Sequence, residues 1–278
     1  MNRPLPLACG VAAIVFGLVL QGSFAAPPSG TGIVFRDRKD NMVVRNLDSW
    51  RATRVNDQTI SFVGAGKPLS GAWRDQGLAV TALSLEGQAT RQGDGAFQLV
   101  TATFTGGVRA NVTGTGPKPI IAELTCTSVK WRAAEASSTA QLTGNVRVVQ
   151  READGQVMTL AGPSAILTLP ALGQNSAFPI RRAEIAGPVT VTLLRPGTKD
   201  GKPNLVSLKA TAGRLVFDDA NKRLELSGGV RLEGEDAMVA GETLAERAVV
   251  TLTSERKVQE IELFGSPGTS TFREVRPR

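Results

Sequence analysis

The stretch Arg214-Leu215-Val216-Phe217-Asp218-Asp219-Ala220-Asn221-Lys222-Arg223-Leu224-Glu225-Leu226-Ser227-Gly228-Gly229-Val230-Arg231-Leu232 decides the fold class. Two alternating runs flank a turn rich in Asp and Asn. These residues hydrogen-bond their own backbone and tolerate left-handed conformations. The spacing predicts a β-hairpin, Arg214–Phe217 with Arg223–Leu226. The glycines after Leu226 interrupt an otherwise continuous alternation. A residue without a Cβ permits a bulge or sharp bend there. The same strand–turn–strand pattern recurs at Ala248–Leu252 and Val258–Leu263, where Ile261 and Leu263 alternate with Glu260 and Glu262.

The phrase around Gly228 is repeated. It reads Phe104-Thr105-Gly106-Gly107-Val108, Leu142-Thr143-Gly144-Asn145-Val146, Ile185-Ala186-Gly187-Pro188-Val189 and Leu226-Ser227-Gly228-Gly229-Val230. Gly106, Gly144, Gly187 and Gly228 are 38, 43 and 41 residues apart. A weaker fifth copy, Leu263-Phe264-Gly265-Ser266-Pro267, follows 37 residues later, and Leu85-Glu86-Gly87-Gln88-Ala89 is a faint earlier one. A period near 40 residues predicts a stacked repeat in which a corner recurs along one line. Two sheets hinged along that line enclose a trough. The expected fold is all-β, an elongated antiparallel β-jellyroll or creased sheet.

Helical signals are weak. Ala133–Ala140 has some propensity for a turn or two, opposed by Ser137-Ser138-Thr139. Met238–Arg247 is helical by propensity but is interrupted by Gly241, which favours a strand. Residues 26–100 keep strand character without clear copies of the phrase and are read as a divergent cap. Residues 101–278 form the repeat region.

The N-terminal segment reads as an address. Arg3 precedes an apolar run, Ala8–Leu20, too short to span a bilayer comfortably. Ser23-Phe24-Ala25 offers a cleavage site. Residues 1–25 are therefore expected to be a cleavable signal peptide directing export to the periplasm. Cys9 leaves with it, so Cys126 is the single cysteine of the mature chain, expected to be buried. The chain has no His and no Tyr. This removes the commonest general base and metal ligand. No catalytic constellation, cofactor motif or metal site is expected. The net charge of +7 suits an anionic partner, but no basic cluster interleaved with aromatics points to nucleic acid. Gly64-Ala65-Gly66, Gly93-Asp94-Gly95 and Gly114-Thr115-Gly116 open no helix and read as turns rather than phosphate loops. Asp218-Asp219 reads as a hairpin turn before it reads as a calcium site. Trp50, Trp73 and Trp131 read as core.

The ordered phrases Ala210–Phe217, Leu224–Leu232, Ala240-Gly241-Glu242-Thr243-Leu244 and Val258–Gly268 together resemble the LptA/OstA-like family of periplasmic lipopolysaccharide-transport proteins. The resemblance is best over residues 210–272 and partial over Thr103–Leu194. It implies a trough that shields acyl chains and end-to-end stacking by β-strand addition. The implied partners are lipopolysaccharide or a related glycolipid, other OstA-like proteins, and further copies of this chain. By alternation, Leu215, Phe217, Leu224, Leu226, Val230, Leu232, Leu252, Ile261 and Leu263 are expected to line the trough. Arg147, Arg214 and Arg231 are the candidate rim charges for an anionic head group. The competing reading is a structural or adhesive β-solenoid at the cell surface, with a dry core. An enzyme on a β-helix would need a column of Asp, Arg or Lys across successive rungs. Arg109, Arg147, Thr190 and Arg231, which follow the glycines, form no such column with carboxylates.

Overall fold

A computed structural model describes residues 33–36, 42–73, 78–91, 97–113, 121–151, 155–170, 180–199, 202–235, 240–254, 258–265 and 268–273. The expected signal segment and the loops Gly93–Gly95 and Gly114–Gly116 lie outside these residues. The strands run in chain order as β1 (Ile33–Arg36), β2 (Met42–Arg54), β3 (Thr59–Trp73), β4 (Leu78–Arg91), β5 (Phe97–Thr113), β6 (Ile121–Ala133) and β7 (Ser137–Arg151), followed by β8 (Val157–Pro170), β9 (Arg182–Lys199), β10 (Lys202–Asp218), β11 (Arg223–Glu235), β12 (Ala240–Leu252), β13 (Val258–Gly265) and β14 (Gly268–Arg273). They form one 14-stranded sheet in which every strand pairs antiparallel with its neighbours in sequence. The described residues contain no helix. Ser137–Ala140 opens β7 and Ala240–Arg247 belongs to β12, so β-structure takes both segments where helical propensity was in question. The parallel rungs of a wound β-solenoid do not occur among the described strands.

A line of bulges crosses this sheet. On β7, Thr143 pairs with Ser128 and Ser164, whereas Val146 pairs with Gly162 and Arg147 with Thr125. β7 thus carries one residue more than either neighbour between these rungs. β5, β9 and β11 do the same at Gly106-Gly107, Gly187-Pro188 and Gly228-Gly229. Bulged strands alternate with plain ones, so the sequence phrase recurs once per hairpin rather than once per strand. That is the physical origin of the period near 40 residues.

The bulge needs a left-handed residue, which a side chain makes costly. Gly228 has φ 81°, and a Cβ there would lie 3.3 Å from the Cα of Gly213 on the facing strand. Gly144, at φ 77°, leaves no room beside the side chain of Thr127. On β3 the corner is built differently. Two extra residues lie between Ala65 and Leu69, spanning Gly66-Lys67-Pro68. This is why residues 26–100 show no copy of the phrase although they share the sheet and its crease. Gly87 sits away from the crease. Gly265 reaches the crease beside Ala245 and Glu246, but β13 ends there and turns back without a bulge.

The crease divides each long strand into two arms. Arm A lies on the side of the Asp218–Lys222 turn and includes Arg223–Ser227; arm B includes Val230–Glu235. Apolar residues of both arms pack into one core, with Leu226 2% and Val230 1% exposed on opposite sides of the corner. A flat sheet would expose one whole face. Burial on both sides of the line therefore means that the arms fold toward each other. The ends are staggered: β1 extends arm B only, through Val43, Val44 and Leu47, while β13 and β14 extend arm A only, through Arg247–Leu252.

Replacing Gly228 by Val is expected to lower stability by about 1–2 kcal/mol or more, the cost of a side chain in the left-handed region. Ser227→Ala, one residue away, is expected to be nearly neutral. Urea unfolding of both variants checks this, and equal midpoints would show that the corner tolerates a Cβ.

Candidate functional site

Between the arms, in the half of the sheet from β6 to β13, lies an apolar cavity of about 130 Å³. Arm A and its tip contribute Ile180, Ala183, Phe217, Leu224, Leu226, Val250, Leu252, Val258 and Ile261. Arm B contributes Ala122, Val148, Gln150, Gln156, Met158, Leu160, Val191, Leu193, Leu208, Ala210 and Leu232. All of these side chains are apolar except the two glutamines. For all but Ile180 and Gln156, which precede β9 and β8, the placement follows from the pleat: each is the inward member of an alternating pair.

Of the residues expected to line a trough, Phe217, Leu224, Leu226, Leu232, Leu252 and Ile261 face this cavity. Leu215, Val230 and Leu263 lie on the same inner face but outside the cavity wall, at 0%, 1% and 4% exposure. All three stand next to the crease, at the height of Leu226, the register partner of Leu215. Met158, Leu160, Val191, Leu193, Leu208 and Ala210 complete the lining and were not singled out from the sequence. The same alternation that marked Leu224 and Leu226 runs through β8–β10 and would have found them.

Arg147, Arg214 and Arg231 occupy a different place from the expected rim. Each is exposed and neighbours an inward residue in its strand, Val146, Leu215 and Val230, so it stands on the outer face. Arg214 donates to Glu184 across the β9–β10 ladder at 2.6 Å. Arg231 contacts Glu233 at 2.7 Å and Glu242 across to β12 at 3.0 Å. Further outer-face pairs join Lys209 to Glu233, Arg223 to Glu225 and Arg247 to Glu225. Such exposed pairs contribute little individually, about 0–1 kcal/mol each. Their role is to keep one face of the sheet wet while the other stays apolar.

The opposite half of the sheet, from β2 to β5, places aromatic rings on its inner face. Trp50 stacks on Phe62 with ring centroids 5.4 Å apart. Two glycines receive these rings: a Cβ on Gly64 would meet Trp50 at 2.9 Å, and one on Gly87 would meet Phe62 at 2.6 Å. Leu47, Leu69, Leu85 and Phe104 are buried in the same core. Trp131 packs against the core from a half-buried position; the side chain of Trp73 lies outside the described set.

Titratable groups are sparse on the inner face. Cys126 is 6% exposed, and its thiol donates to the Ser128 carbonyl at 3.4 Å. Burial pushes the thiol up to about 11. It is therefore a packed neutral group rather than a nucleophile. Asp218, in the β10–β11 turn, is held below the usual carboxylate range, first by the side-chain amide of Asn221 and then by the backbone N–H groups of Asn221 and Ala220. Its oxygens are occupied in shaping the hairpin. No group of three or more His, Cys, Asp or Glu able to hold a metal occurs among the described residues. No family model, no curated protein and no solved structure matches the chain.

The Cys126 thiol ties stability to alkaline pH. Its folded value lies above its unfolded value of about 9, so the neutral thiol is the form the fold favours. The stability is fully present below pH 9 and is lost as pH rises toward 11. Wild type is expected to lose up to about 2–3 kcal/mol more than Cys126→Ala over this window. Parallel urea curves for the two proteins from pH 8 to 11 would contradict it.

Proposed function

We propose that this protein is a periplasmic carrier that holds lipopolysaccharide acyl chains between the arms of its creased sheet. The supporting observation is the continuous apolar cavity built from alternate residues of both arms, with the charges on the opposite face. An acyl chain in water costs about 0.8 kcal/mol per methylene. A carrier must offset that cost along the whole chain without a catalytic group, and two facing arms of alternating aliphatic residues do so. The glycine bulges make the arms possible. The resemblance of residues 210–272 to OstA-like proteins, and the signal-like N-terminus, point the same way.

The staggered ends suit strand addition to a second protein. Because β13 covers only arm A, the arm-B part of β12, Ala240–Ala245, is paired on one side only among the described strands. Leu244 in this segment is 71% exposed. We assign this half-edge to an OstA-like neighbour or a second copy.

Two experiments test these readings. A photoreactive residue at Phe217, in the cavity, is expected to capture lipopolysaccharide in cells. The same probe at Glu225, held on the outer face by Arg223, is expected to capture none. No adduct at Phe217 in a folded, exported protein would defeat the carrier reading. Of Thr243 and Leu244, one directs its N–H away from β11, so proline there leaves the internal ladder intact. That substitution is expected to weaken end-to-end association about tenfold or more by sedimentation. Unchanged association would remove β12 from the interface.

A further inference from the structure

Each bulge has a counterpart on the plain strand before it. Between the rungs where the register slips, β4 sets Ala82-Leu83 beside Gly106-Gly107, and β6 sets Cys126-Thr127 beside Gly144-Asn145. In the same way β8 sets Gly162-Pro163 beside Gly187-Pro188, and β10 sets Ala212-Gly213 beside Gly228-Gly229. The second residue of each plain-strand pair is exposed on the outer, convex side of the crease. Leu83, Thr127 and Pro163 occupy the hollow over the bulge glycine that follows. A Cβ on Gly106, Gly144 or Gly187 would strike the side chain of Leu83, Thr127 or Pro163 respectively. Thr127 also donates its hydroxyl to the Gly144 carbonyl at 3.3 Å. At Gly228 the same place is held by the bare Cα of Gly213, 3.3 Å from where a Cβ would stand.

Straightening a crease compresses whatever stands on its convex side. Leu83, Thr127 and Pro163 therefore brace their corners against opening. Pro163 and Pro188 also fix φ on both strands of the β8–β9 corner. Of these four corners, the one between β10 and β11 has neither a side chain over its bulge nor a fixed dihedral. Gly213, Gly228 and Gly229 change φ and ψ there at the least steric cost.

This corner lies under the cavity. β9, β10 and β11 are the strands that supply both of its walls, as Ala183 with Val191, Phe217 with Ala210, and Leu224 with Leu232. The cavity of about 130 Å³ is close to the roughly 150 Å³ that holds one benzene in an engineered apolar core. An acyl chain of about a dozen carbons, twice those of benzene, does not fit between the arms as they stand.

We propose that the β10–β11 corner is the hinge on which the two arms part to admit an acyl chain, and that Gly213 is the position that leaves it free to open. Hinges of this kind are a few residues that absorb the backbone change while the elements on either side move as units. The proline corner of β8–β9 holds the neighbouring wall in place. The inference rests on the carrier reading and adds to it how the carrier is loaded.

The test uses the full chain, read by hydrogen exchange without ligand and by affinity for hexanol and dodecanol. In wild type the amides of the Gly213–Gly228 corner are expected to be about tenfold less protected than those of the Thr127–Gly144 corner. Gly213 has no left-handed φ, and a Cβ there would lie 3.0 Å from the Gly228 carbonyl oxygen, so the strand gives slightly to take a side chain. Gly213→Thr installs the side chain that Thr127 supplies at Gly144. It is expected to raise protection at its corner to the Thr127 level and to weaken dodecanol binding about tenfold. Hexanol, short enough for the closed cavity, is expected to bind as before. Should Gly213→Thr fold poorly, Thr127→Gly makes the converse comparison and is expected to lower protection at its own corner about tenfold. Equal protection at the two wild-type corners, or unchanged dodecanol affinity in a folded Gly213→Thr, overturns the hinge while leaving the cavity. If wild type binds hexanol alone, the arms do not part and the hinge falls. If it binds neither alcohol, the carrier reading falls, and the protection of the two corners alone decides whether the hinge stands.

Discussion

The structure depends on where its strands are allowed to bend. A sheet of long antiparallel strands would lie open and expose an apolar face to water. Here each of β5, β7, β9 and β11 takes one extra residue at the same height, in a left-handed conformation that glycine adopts without penalty. The intervening strands follow the corner without an extra residue. Because the bulges line up, their bends add instead of cancelling, and both arms bury the same face. Burial of the core, segregation of charge and enclosure of the cavity all follow from that alignment.

Once the arms face each other, the size of their inward side chains decides what lies between them. From β2 to β5 the space is taken up by Trp50, Phe62, Leu47, Leu69 and Phe104, with glycines recessed to receive the rings. From β6 to β13 the residues around the cavity are aliphatic apart from Phe217, Gln150 and Gln156, and leave a gap between the arms. One architecture thus packs aromatic rings at one end and leaves an apolar cavity at the other. The outer face works in the reverse sense. Its cross-strand Arg–Glu and Lys–Glu pairs add little stability but resist the flat, apolar association to which a wide sheet is prone.

Much of this was legible in the residues. The hairpin around Asp218–Lys222 was, because turn chemistry and alternation agree there. So were the corners at Gly106, Gly144, Gly187 and Gly228, because a left-handed backbone leaves a glycine in the sequence. The corner on β3 left no such mark; a bulge of two residues through Gly66-Lys67-Pro68 satisfies the geometry by another route. The plain strands between the bulges were also silent, since they bend by following their neighbours. Which inward residues meet a void and which meet each other was not legible. Leu215 and Leu224 alternate identically, yet one sits by the crease and the other away from it. That difference is a property of the distance between arms. The charges illustrate the opposite case. Arg214 precedes Leu215 and Arg231 follows Val230, so strict alternation already sends both outward.

The alternation of bulged and plain strands has a consequence for how such a chain changes length over evolutionary time. The smallest piece that preserves the order of corners is a complete hairpin, one bulged strand with one plain strand. Duplicating or deleting that piece lengthens or shortens the container by two strand widths and leaves every remaining corner in line. Gain or loss of a single strand would bring two bulges, or two plain strands, side by side and break the fold line. The length of the enclosed space in this architecture is therefore inherited in steps, set by counting hairpins and not by altering individual side chains.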